Sequence, residues 1–135
     1  MDGALTEVTV EHLPDAHRAR SLSTDALRSS FLVQGLFTPG AITLRHLDLD
    51  RVVLGGAVPT SAALALEAPA SIAAEYFAER RELGILNIGA SGAITVDGHR
   101  HAMRTRDALY VGRGSKNIVL ESDDATRPAR FYIVS

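Results

Sequence analysis

Between Ala41 and Leu47 the chain alternates: Ile42, Leu44 and His46 fall on one side of an extended backbone, Thr43 and Arg45 on the other, which predicts a strand with one apolar face. Ile94 and Val96, then Leu109 and Val111, repeat the same period of two, and Asp97-Gly98 between strand-like runs is a strong signal for a two-residue β-hairpin. The run Arg51–Pro59 is apolar but broken by Gly55 and Gly56, as expected of a buried strand bending at a barrel corner, and Ala63 to Ala68 alternates leucine with alanine as a further strand.

One element breaks this rhythm. Ser23 or Thr24 can accept from free backbone N–H groups and Asp25 suits the positive end of a helix, so Thr24 to Leu32 is predicted as a short helix with Leu27 and Phe31 on one face, plugging the sheet. Upstream, Leu5 to Ser21 is polar apart from Val8-Thr9-Val10, and its His12 and His17 take no assigned role because isolated histidines in a polar arm are usually solvated. Gly84, Gly89, Gly92, Gly98, Gly112 and Gly114 stand at the ends of short runs, where turns or bulges with positive φ are expected. Many short strands punctuated in this way favour a closed barrel or a double-sheet jelly roll.

Composition narrows the class without changing it. The 135 residues, 46% hydrophobic and 22% charged, suit one soluble domain, and a formal net charge of −2 offers no footprint for nucleic acid. There are no cysteines, so disulfides and thiolate chemistry are excluded and a reducing cytoplasm is the expected compartment. No run approaches the roughly 20 apolar residues that span a bilayer, and the first residues lack the apolar stretch of a signal peptide.

The hairpin at Asp97-Gly98 followed by Arg106-Asp107-Ala108-Leu109-Tyr110-Val111-Gly112 resembles the middle of a cupin. Phe77 to Gly89 (FAERRELGILNIG) is similar to the N-terminal cupin half of 5-keto-4-deoxyuronate isomerase, a pectin-degradation enzyme. The likeness continues, in order, through Leu27-Arg28, Phe31-Leu32-Val33, Asp50-Arg51, Gly55-Gly56, Pro59 and Pro128-Ala129-Arg130-Phe131-Tyr132. It implies an all-β cupin-type double-stranded β-helix with one short N-terminal helix: an arm and helix over residues 1–40 packed on a barrel over 41–135. Helix propensity favours a helix across Pro69–Glu82, with Ser71 as a cap; the cupin resemblance requires an extended strand from about Glu75, and tertiary pairing commonly overrides propensity.

The same resemblance implies a ketol-isomerisation of a 4-deoxy-5-keto-uronate to a 2,5-diketo acid, a zinc-type site carried by a second cupin half, and a homo-oligomer, a hexamer in the family. The chain ends near where the link to that second half would begin. A metal-binding cupin supplies two histidines spaced by one residue, a Glu and a later His; those positions fall here on Tyr76, Ala78, near Leu83, and near Lys116 or Asn117. No cofactor is therefore expected in this chain. His99 and His101 share a face with Ile94 and Val96, but they follow the hairpin rather than precede it and lack a downstream partner, so one solvent-near and one packed histidine is the expectation.

Substrate-binding candidates come from Arg80, Arg81 and Glu82, since an Arg fork suits a sugar-acid carboxylate, with Arg106 and Asp107 to position such an arginine. On a strand only alternate members could share a site. Tyr110 and Lys116 are candidates for proton transfer, although at ordinary pKa values near 10 they are poor bases at neutral pH. Asp48 and Asp50, near Arg51, are expected as surface turn acids rather than a paired carboxylate site. Phe31, Phe37, Phe77 and Phe131 are expected core, and Leu36, Phe37 and Ile133-Val134 are surfaces that could meet a partner copy. The alternative reading is a non-catalytic cupin serving as an oligomerisation or sugar-acid binding module.

Overall fold

The computed structural model describes residues 5–135. Among these residues ten strands form two sheets. β1 (Leu5–Glu11), β2 (Ala41–Leu47), β3 (Val53–Ala57), β10 (Phe131–Val134), β5 (Leu83–Asn87) and β8 (Ala108–Val111) make one six-stranded sheet in that order. The other sheet runs β4 (Leu64–Ala65), β9 (Ile118–Ser122), β6 (Gly92–Val96), β7 (His99–Met103). All neighbours are antiparallel except β1 on β2. This is the two-sheet jelly roll expected of a cupin.

The pleat decides what lies between the sheets. Ile42, Leu44, Leu83, Ile85, Phe131 and Ile133 from the large sheet meet Leu64, Ile94, Ile118 and Leu120 from the small one, all essentially inaccessible. Each such side chain contributes about 1.5–3 kcal/mol by leaving water. The predicted hairpin is present in register, with Val96 opposite His99 and Ile94 opposite His101, and Asp97 (φ 46°) and Gly98 (φ 85°) both take the left-handed conformation that a type I′ turn demands. On the outer face of β2, Arg45 reaches Glu7 (3.4 Å), Glu11 (3.6 Å) and the Thr9 hydroxyl (3.2 Å), which fastens β1 to the sheet.

Several expectations are corrected. The predicted helix forms as α2 (Thr24–Phe31), capped by Ser23 whose Oγ accepts from the Ala26 N–H, and is preceded by a short α1 (Ala16–Ala19). It plugs nothing: Leu27 and Phe31 are exposed, and the aromatic side chains that fill the interior are Phe77 and Phe131. Leu36 and Ile133, expected to face a partner, are buried; the inward pleat of β10 sends Ile133 into the core and leaves Val134 outside. The strand over Ala63–Ala68 is reduced to two residues.

Pro69–Glu82 is neither strand nor helix. A 3-10 turn at Ala70–Ile72 stops where Ala73 adopts a left-handed φ of 49°. Beyond it the backbone is satisfied piecemeal: the Glu79 carboxylate accepts from the Glu75 N–H, and the Ala78 carbonyl accepts from the Gly114 N–H. This irregular path drops Phe77 and Ala78 into the core, which a regular strand from Glu75 would not have done together, since neighbours on a strand face opposite ways. Of the six glycines expected at positive φ, Gly98 and Gly114 have it; Gly84, Gly89, Gly92 and Gly112 do not. Gly92 is required for another reason, because a Cβ there would collide with the Glu121 carbonyl of the neighbouring strand.

Candidate functional site: an arginine-lined cavity

Arg80, Arg81 and Glu82 immediately precede β5 and come together. Because the backbone there is irregular rather than extended, both arginines line one cavity of about 470 Å³ with Asp50, Arg51 and Arg113, against the expectation that only alternate residues could share a site. Arg81 donates to the Arg51 carbonyl (3.4 Å) and its guanidinium lies 6.0 Å from the centroid of the Phe77 ring. Burial, then repulsion from Arg51, lowers the Arg81 pKa. Among the described residues no carboxylate lies within ion-pair distance of Arg51, Arg80, Arg81 or Arg113; the ion pairs fall elsewhere. Arginines without an ion-paired acid present donors of the kind that suit an anion.

Tyr110 joins this end of the sheet. Its hydroxyl donates to Glu82 Oε2 at 2.5 Å, and that hydrogen bond, with some burial and the carboxylate charge, raises the phenol pKa above its ordinary value. Tyr110 is thus a neutral donor, further from acting as a base than an ordinary tyrosine.

The other candidates lie apart. Arg106 and Asp107 sit in the turn before β8, at the Asn87 end of β5, so the length of that strand, about 14 Å at ~3.4 Å per residue, separates them from the Arg81 end. Asp107 accepts from the Arg104 N–H (2.8 Å) and Arg104 Nε (3.4 Å), so the arginine it holds is Arg104, not Arg80 or Arg81. Lys116 belongs to a separate cavity of about 340 Å³ with Glu67, Glu75 and Asn117, its Nζ 5.9 Å from the Tyr76 ring centroid. His99 and His101 are both exposed, since β7 is the last strand of its sheet and buries only Met103; the packed histidine expected there is not packed. In the arm, His12 Nδ1 lies 3.1 Å from Asp48, whose other oxygen accepts from the Leu13 N–H, a surface tie.

The residues of this chain do not fit a zinc of the kind that the resemblance places in a second cupin half. Of the positions where a metal-binding cupin carries its ligands, Ala78 and Leu83 are fully buried apolar core and Tyr76 packs under Lys116. Among the described residues no group of three or more His, Asp or Glu could hold a metal ion.

The residues that sequence reasoning did not connect to the arginines are Arg51, Arg113, His46 and Ser71, which arrive from four separate segments. Fold and site together define a cupin-type jelly roll with an arginine-lined cavity. No family model matches the chain. By sequence it is a homologue, over part of their length, of proteins named 4-deoxy-L-threo-5-hexosulose-uronate ketol-isomerase. That of Halalkalibacterium halodurans is 48% identical over 113 residues, covering 84% of this chain and 41% of that protein. That of Formosa agariphila is 47% identical over 116 residues, 86% of this chain and 41% of that protein. That of Lachnospira eligens is 41% identical over 121 residues, 90% and 43%. The chain therefore spans about two fifths of the relatives it matches. Similar solved structures include a cupin protein from Bacteroides fragilis (17% identity, TM-score 0.45, covering 84% of this chain and 78% of that one) and the Clostridium difficile EutQ protein (16%, 0.45, 64% and 56%).

Proposed function

We propose that this chain is the N-terminal half of a 4-deoxy-5-keto-uronate ketol-isomerase of uronate degradation, the half without the catalytic metal. The observation that carries the reading is 41–48% identity to proteins of that name across 84–90% of this chain while only 41–43% of their length is matched. The reaction moves a proton between adjacent carbons through an enediolate, converting the 5-keto-uronate to a 2,5-diketo acid. Zinc, where the complete enzyme uses it, would be held by the part of the relatives that this chain does not span.

In this reading the jelly roll is the scaffold for a cytoplasmic homo-oligomer acting on a small sugar acid. Supporting that role, the outer face of β5, β8 and β10 leaves Leu86, Tyr110 and Val134 exposed beside one another. No helix among the described residues is long and apolar enough to cross a membrane.

The test is ketol-isomerisation of unsaturated-uronate cleavage products. The chain alone, with and without added zinc, is expected to give no turnover, and addition of the separately produced remaining portion of the Halalkalibacterium halodurans relative is expected to give turnover above that portion's own. Turnover by the chain alone overturns the assignment of the metal elsewhere; no gain on mixing overturns the assignment as a half of this enzyme.

A further inference from the structure

Behind the arginines lies a second, smaller cavity of about 190 Å³, lined by Arg51, Arg80 and Arg81 and also by His46 and Ser71. Its construction follows from the fold. His46 is the inward-facing residue of β2 after Ile42 and Leu44, so the alternation that buries those two aims the imidazole into the end of the sandwich. Ser71 sits in the 3-10 turn that covers this end. His46 Nδ1 and Ser71 Oγ are both buried, and neither has a hydrogen-bond partner among the described residues. A buried polar atom left unpaired costs about 1–3 kcal/mol, and such atoms are few in native proteins. Two of them on the wall of one cavity, beside three guanidinium groups with no carboxylate partner, define what is missing.

A cation is disfavoured by three positive charges, of which Arg51 and Arg80 are exposed and Arg81 half-buried, and a neutral guest would leave the Arg81 charge uncompensated. An oxyanion satisfies every group at once: it accepts from the Ser71 hydroxyl, from an N–H at His46 Nδ1, and from the arginine forks. The volume is below the 300–1,000 Å³ usual for a whole small-molecule site, which suits a headgroup rather than a complete ligand. The larger cavity shares Arg51, Arg80 and Arg81 with the smaller one and adds Asp50, Glu82 and Ser135, groups that can bond sugar hydroxyls.

We propose that this paired cavity is a binding site for a small polyhydroxylated oxyanion, its carboxylate or phosphate seated against His46, Ser71 and Arg81 and its hydroxyls toward Asp50 and Glu82. The site does not depend on the isomerase reading, because it is built wholly from this chain and requires no turnover.

Calorimetric titration of the intact 135-residue chain at fixed ionic strength tests it, with galacturonate, glucose 6-phosphate, inorganic phosphate and galactose as probes. At least one of galacturonate and glucose 6-phosphate is expected to saturate by about 10 mM, galactose not at all, and the stronger of the two identifies the headgroup. Inorganic phosphate is expected to bind more weakly than glucose 6-phosphate if phosphate is that headgroup. Ser71→Ala and Arg81→Gln are each expected to weaken binding tenfold or more, while Arg100→Gln, on the small sheet, leaves it unchanged. His46 ring resonances are expected to shift on saturation, in the wild type and in Arg100→Gln alike. Equal response to galactose and galacturonate, absence of any binding at about 10 mM, or full binding by a folded Ser71→Ala chain overturns the proposal.

Discussion

His46 and Ser71, one on a central strand and the other on the turn that caps it, present buried unpartnered atoms to the same small cavity. For His46 this burial, together with the nearby Arg81 charge, lowers the imidazole pKa below 6.5. The charged groups lining that cavity are Arg51, Arg80 and Arg81, all cationic, so nothing there favours the imidazolium.

A pH dependence of stability follows. As pH falls below about 6.5 the unfolded chain takes up a proton at His46 that the folded chain still refuses, so in that window folding loses stability as pH drops. The urea midpoint is expected to be lower at pH 5.5 than at pH 7, and His46→Gln to reduce that difference. Asp48, whose pKa is lowered chiefly by the Leu13 N–H, contributes only below its ordinary value of 3.8 and so does not confuse the two windows. An equal slope in wild type and His46→Gln would contradict the placement of His46.

Asn87 is fully buried and, unlike His46 Nδ1, fully satisfied. Its amide donates to the Ala90 (2.8 Å) and Met103 (3.0 Å) carbonyls, and its Oδ1 accepts from the Gly89 (3.0 Å) and Arg130 (3.2 Å) N–H groups. It thereby joins the end of β5 to the end of β7 and to the segments preceding β6 and β10. Asn87→Ala leaves several buried backbone groups without partners, and urea unfolding is expected to show a loss of about 3 kcal/mol or more. A loss near 0.5 kcal/mol would show that these bonds are easily replaced.

The Tyr110–Glu82 hydrogen bond predicts an alkaline signature. The chain has three tyrosines, and among them Tyr110 is held neutral by Glu82. Spectrophotometric titration is expected to show one phenol ionising above the ordinary range near 10, returning toward it in Glu82→Gln. No change between the two proteins would mean that the bond is not kept in solution.

Phe77 and Phe31 separate what the pattern could tell from what it could not. Alternation in β2 and the Asp97-Gly98 turn were legible because each is encoded within a few residues, and α2 because its cap and first turn are local. Whether an apolar residue of α2 reaches the core was not, since that depends on what else fills the space. Phe77 does so, from a segment whose composition favours helix and whose actual path is neither regular structure. The assumption of an extended backbone there also parted Arg80 from Arg81 and hid their meeting with Arg51, His46 and Ser71. Phe77→Ala is expected to cost about 3–5 kcal/mol and Phe31→Ala under about 1 kcal/mol, by urea or thermal unfolding. The reverse order would restore the helix as the plug.

Zinc titration of the purified chain, followed by equilibrium dialysis and metal analysis, tests most directly the claim that this jelly roll has given its ligand positions over to packing. The expected result is no stoichiometric zinc and unmoved histidine resonances. One tightly held zinc per chain, with shifts at His99 and His101 or at any other set of imidazoles, would contradict it.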